Sequence, residues 1–180
     1  MTKLPTAVAD TLEAHEAFSP LDDATYALET TVFEARVSVT AAEGRRDGSF
    51  TVVVRLPTLD AATADRVAPV VEDGWFETFE RRLADVFTVA ETGTHDAPRI
   101  DRDEGVVTVT LEYVAWDARE GVDDAKALIE YVEGTYAQGI IPGYEYEGPA
   151  ATLVENAQTA GERAAEGAAG DHGDEYDSPF

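Results

Sequence analysis

The chain has 180 residues, 44% of them hydrophobic and 28% charged, enough apolar surface for one folded domain of ordinary size and too much for wholesale disorder. Its 13 basic and 37 acidic side chains leave a net charge of −24, a field that repels nucleic-acid phosphates and anionic lipid headgroups and argues against both as partners. The absence of cysteine excludes disulfides, thiolate zinc sites, iron–sulfur clusters and cysteine nucleophiles.

A first helix is expected over Pro5 to Ala17, where Leu4, Val8, Leu12 and then His15 or Phe18 recur at spacings of three and four, and Ser19-Pro20 ends it. A strand is expected from Thr31 to Ala42. Phe33, Ala35, Val37 and Val39 fall on one face of it, and Glu34, Arg36, Ser38 and Thr40 on the other. The polar run Glu43 to Gly48 reads as a hairpin loop, and Ser49 to Leu56 returns with Phe50, Val52, Val54 and Leu56 inward until Pro57 stops it. Leu59 to Val71 reads as a short helical stretch interrupted by Pro69. A stronger helix follows from Asp73 to Phe87 with a stripe of Trp75, Phe76, Phe79, Leu83, Val86 and Phe87. A second hairpin is expected from Arg99 to Asp101, through a turn at Asp103-Glu104-Gly105, into Val106 to Val114. Asp123 or Asp124 then opens a helix whose inner face is Ala125, Leu128, Ile129, Val132 and Tyr136, and Gly139, Pro142 and Gly143 close it.

The fold expected is α+β in the order α-β-β-α-β-β-α over residues 1–149, a four-stranded antiparallel sheet with helices on one face and water on the other. Residues 150–158 suit one more short helix. From Thr159 onward only Tyr176 and Phe180 are large and apolar, too little to offset chain entropy of ~1–2 kcal/mol per residue, and a disordered acidic tail is expected. No apolar run approaches the roughly 18 residues of a membrane span, and Met1 to Asp10 lacks the layout of a secretory leader. A soluble, cytoplasmic protein is the expectation.

Only Lys3 and Lys126 are lysines; the other basic residues are arginines. An acid-rich, lysine-poor surface suits molar salt, where the screening length falls to about 3 Å and dispersed carboxylates hydrate the surface with little mutual repulsion. The carboxylates are spread along every segment rather than gathered into one block, which favours a solvated coat over a docking face for a basic partner.

Catalytic chemistry has little to stand on. His15 sits at a helix edge, His95 in a loop and His172 in the tail, and no two have metal-ligand spacing. Asp101, Asp103 and Glu112 match three positions of a calcium loop, but Gly105 and Val106 stand where an acid and a glycine are required, so a hairpin turn is the better reading. No phosphate loop or nucleophile elbow is present. No catalytic, cofactor-binding or metal-binding residue is therefore assigned. Arg36 and Arg55, on the outward faces of neighbouring strands with Glu34 and Glu112 close by, form a candidate site on the sheet face. They would either clamp an anion or, the favoured account, pair across strands with those glutamates.

The most unusual segment is Gly134 to Gly148, where Ile140, Ile141, Tyr144 and Tyr146 follow a helix end among glycines and Pro142. It forms either a core clamp or an exposed interaction surface. The stretch Glu133 to Gly148, in its acidic and lysine-poor context, resembles a family of small acidic uncharacterised proteins of salt-loving archaea, a domain of unknown function. The resemblance covers most of residues 1–150 and implies cytoplasmic residence in a high-salt cell. It implies no activity and no site residue. The functional expectation is a non-catalytic binding or interaction module with a protein partner or a second copy of itself. A peptide-holding chaperone or adaptor, by fold-level analogy with the chaperones of secretion systems, and a small enzyme of unrecognised type are the alternatives.

Overall fold

A computed structural model describes residues 5–22, 24–41 and 48–158. The expected loop at Glu43 to Asp47 and the tail from Thr159, with His172, lie outside them. The described elements are helix α1 (Thr6–Ala14), strands β1 (Phe18–Pro20), β2 (Thr25–Leu28), β3 (Glu34–Thr40) and β4 (Gly48–Pro57), a single turn α2 (Leu59–Ala62), helix α3 (Pro69–Leu83), strands β5 (Arg99–Asp103) and β6 (Val106–Ala115), and helix α4 (Ala118–Gln138). A last helix, α5, covers residues 148–158.

The sheet is antiparallel but has six strands in the order β1-β2-β3-β4-β6-β5, not four, and the element order departs from α-β-β-α-β-β-α accordingly. The two extra strands extend the β3 edge. Phe18 pairs with Leu28 and Tyr26 with Val37. Strands of three and four residues are too short to show an alternation, and Ser19-Pro20 reads as a helix stop wherever it falls. The central ladders have the register that the alternation implies: Val37 opposes Val52, which opposes Leu111. The second hairpin closes through Glu104 and Gly105, both at positive φ (46° and 82°), the geometry that lets a two-residue turn follow the twist of its strands.

Four helix boundaries also move. The first is the end of α3, which stops at Leu83 rather than Phe87 and is followed by a separate 3-10 turn at Val86–Val89. Pro69 does not interrupt α3 but begins it, at a first-turn position where its missing N–H is no loss. The start of α4 is at Ala118 rather than Asp123 or Asp124, because the Asp117 carboxylate caps the Arg119 and Glu120 N–H groups. The first helix stops at Ala14, leaving His15 beyond its end, edge-on to Phe18 at 5.1 Å.

The inward residues of β4 and β6 meet α4 directly, and α1 and α3 lean on α4 in turn. Tyr136 anchors the far end of this core. Its ring takes the edges or faces of Phe33 (4.8 Å), Trp75 (5.6 Å) and Phe79 (6.2 Å), and its hydroxyl donates to the Pro57 carbonyl at 3.1 Å. No described helix is long and apolar enough to cross a membrane.

Candidate functional site

The open face of the sheet carries the expected arginines, differently partnered. Glu34 lies between Arg36 (Nη2 to Oε1, 2.6 Å) and Arg55 (Nη1 to Oε2, 3.9 Å), while Glu112 is 3.3 Å from Arg99 of the neighbouring strand. The two candidate guanidiniums thus converge on one carboxylate, and Glu112 stands apart with a residue that sequence reasoning did not single out. All of these side chains are at least 40% exposed, where an ion pair contributes ~0–1 kcal/mol and fades with salt. Replacing Glu34 by Gln is therefore expected to lower stability by less than about 1 kcal/mol in dilute buffer. Thermal melts should show even that difference vanish in molar salt.

His95 lies flat on Phe87 at 3.8 Å, with Nδ1 3.0 Å from the Asp96 carbonyl. Asp101, Asp103 and Glu104 occupy β5 and its turn, as a hairpin reading requires. No group of three His, Cys, Asp or Glu side chains among the described residues is placed to hold a metal ion.

The segment after α4 folds back along the domain. The chain turns at Gly139 and runs back beside the α2–α3 connection, held by backbone bonds. Glu147 N–H donates to the Ala62 carbonyl at 2.7 Å, Ala64 N–H to the Glu145 carbonyl at 2.8 Å, and Glu145 N–H to Asp65 Oδ2 at 2.6 Å. Inside the loop the Ile141 N–H donates to the Tyr146 hydroxyl at 2.8 Å. Burial raises the Tyr146 phenol above its ordinary pKa, and that N–H bond pulls it partly back. The four singled-out side chains, Ile140, Ile141, Tyr144 and Tyr146, are each half-buried against the core. They form neither an internal clamp nor a free patch: the isoleucines make a ridge with a groove on either side.

The inner groove, about 330 Å³, lies between α3 and the end of α4 and is walled by Val71, Trp75, Phe79 and the two isoleucines. Val70 stands on its rim, 78% exposed. The outer groove, about 540 Å³, lies between the ridge and α5 and is walled by Tyr144, Leu153, Val154 and Ala157. Neither lining contains an acidic residue, although acids are one residue in five of the chain. Hollows elsewhere contrast sharply: one of about 730 Å³ beside the second hairpin takes Asp60, Glu72, Asp73, Asp103 and Glu104 into its lining. Sequence reasoning missed Trp75 and the α5 residues as partners of the ridge. The aromatic stripe of α3 pointed to core, and nothing in its spacing shows that Trp75 and Phe79 line a groove against the end of α4.

No curated protein and no solved structure matches the chain. Residues 13–156 match the family of unknown function DUF5813. That span takes in the whole sheet, α3, α4, the inner groove and the outer groove as far as Val154, so the chain belongs to that family.

Proposed function

We propose that this protein is a non-catalytic binding module of a salt-adapted cytoplasm, and that its outer groove receives an apolar segment of a protein partner. The observation that carries this is the acid-free ridge and groove in a chain of net charge −24. An acidic coat keeps a surface hydrated, so a stretch without it is easy to dehydrate on contact. Apolar, aromatic and charge-depleted is also the make-up of an interface centre. Tyrosine hydroxyls at the border supply hydrogen bonds without a charge to desolvate. A basic partner would instead be drawn to the carboxylates elsewhere.

The test is Ile141→Asp, which puts a charge on the ridge without removing a core residue. In molar potassium chloride, affinity capture with the wild-type chain should retain a defined partner. The variant should retain it at least about ten-fold less, the loss expected when a charge is buried at an apolar contact, with unchanged far-ultraviolet circular dichroism. Equal retention by both chains refutes docking on the ridge. Sedimentation of both chains in the same salt reports whether the partner is a second copy.

A further inference from the structure

The inner groove has a chemistry that the outer one lacks. Its floor is a stacked aromatic pair, Trp75 and Phe79, with centroids 5.7 Å apart and planes 6° from parallel. Two hydrogen-bond donors without acceptor capacity face it. The first is the Trp75 indole N–H, which meets no acceptor among the described residues and, since no buried polar side-chain atom there lacks a partner, is open to the groove. The second is Arg82 on the rim, an exposed guanidinium with no carboxylate within ion-pair distance among the described residues. Gly139 keeps the approach to the indole clear: a Cβ there would sit 2.9 Å from Trp75 Nε1. The indole cannot yield, because it is stacked on Phe79 and set edge-on to Tyr136.

We propose that the inner groove is a binding site for a small apolar carboxylate, its hydrocarbon or aryl part on Trp75 and Phe79 and its carboxylate between the indole N–H and Arg82. The volume of about 330 Å³ is at the small end of the ~300–1,000 Å³ range of ligand pockets. A guanidinium and an indole N–H in the lining of one groove favour an anionic acceptor over a neutral one. Acids in the lining would oppose such a ligand, and none is there. This site is separate from the outer groove and does not depend on a protein partner.

The chain has two tryptophans, and Trp116 is exposed on the far side of β6 from α3 in sequence, so a Trp116→Phe background leaves Trp75 as the only indole reporter. In that background, titration with 3-phenylpropionate in molar potassium chloride should give a saturable fluorescence change. The uncharged 3-phenylpropanol should bind about ten-fold more weakly, the worth of a charge-assisted contact. Arg82→Gln should bring the acid down to the level of the alcohol, and Gly139→Ala should weaken both ligands by crowding the indole. The proposal is overturned by no saturable change with the acid, by equal affinity for acid and alcohol, or by a preference that survives Arg82→Gln. A negative titration beside Ile141-dependent docking overturns this site and leaves the outer groove standing.

Discussion

Gly121→Val is expected to destabilise the protein by about 3 kcal/mol, the upper end of the usual cost of overpacking, and to lower the melting temperature by roughly 6–12 °C at ~2–4 °C per kcal/mol for a chain of this size. Gly121 lies in α4 where the helix crosses the sheet. A Cβ at this position would run into the Phe50 ring and stand 2.8 Å from the Ala115 Cβ. Phe50 is 0% exposed and stacked on Tyr113 at 5.1 Å with planes 11° apart. The Tyr113 hydroxyl in turn donates to the Gly121 carbonyl at 2.6 Å. Ring, hydroxyl and helix backbone therefore lock one another, and none can retreat without breaking a buried contact. Helix propensity argues the other way, since Gly→Ala in a helix interior gains ~1 kcal/mol. Gly134 provides the comparison: it is exposed in the same helix, with nothing within 4 Å of its added Cβ. Gly134→Ala should raise the melting temperature by a few degrees, while Gly121→Ala should lower it despite the same gain in propensity. Thermal melts of the three variants decide it. A stabilised Gly121→Ala would mean that α4 does not press on the sheet there.

The contrast between those glycines shows what a sequence of this kind discloses. Alternation in β3, β4 and β6 gave both face and register, because Phe50, Val52, Val54 and their partners must all be inside together and a one-residue slip would turn them all out. The stripe of α4 was equally legible from Ala125 to Tyr136. Its first two turns were not, since Ala118, Gly121 and Val122 are too small or too sparse to make a stripe and the cap at Asp117 is one acid among many. The strands β1 and β2 depend on pairing with β3 rather than on any pattern of their own. Composition blurs signals of this sort. Where acids are one residue in five, a capping Asp, a buried Asp and a solvated Asp look alike.

The grooves show the same limit from the other side. Ile140, Ile141, Tyr144 and Tyr146 stand out because apolar residues between glycines after a helix end need a reason to be there. What makes a surface of them comes from elsewhere in the chain. Trp75 and Phe79 arrive from α3, Leu153 and Val154 from α5, and Arg82 from a polar position on α3 that looks solvated in sequence. A ridge is a local property, whereas a groove needs its second wall, and the second wall is a tertiary fact.

A loss of stability comparable to that of Gly121→Val is expected from Asp124→Ala, one of those indistinguishable acids. Asp124 is 2% exposed, although it is flanked in sequence by solvated charges. Its Oδ1 accepts the Glu91 N–H at 2.7 Å and its Oδ2 the Thr92 N–H at 3.0 Å. The Thr92 hydroxyl carries the connection on to the Val114 carbonyl at 2.7 Å. One carboxylate on α4 thereby fastens the loop that leads from α3 to the second hairpin. Alanine leaves two N–H groups without acceptors at ~1–3 kcal/mol each, so a loss of about 2–4 kcal/mol is expected once partial access of water at Glu91 is allowed for. Asparagine is a poor substitute, because its amide offers one oxygen and turns an NH₂ group toward the second N–H. Burial holds the Asp124 carboxyl above the ordinary carboxylate range, and the two N–H bonds pull it only part of the way back. A carboxyl raised in the folded state contributes most when protonated. Its contribution falls as pH climbs from the ordinary value of ~3.9 through the folded value, and is level above that. The margin of wild type over Asp124→Ala should accordingly be widest in acid and narrower, but still positive, at neutral pH. Paired denaturant titrations across that range measure the margin, and hydrogen exchange at the Glu91 and Thr92 amides should accelerate in the variant. A margin that widens toward neutral pH would mean that the ionised carboxylate, held by its two N–H donors, outweighs its own desolvation.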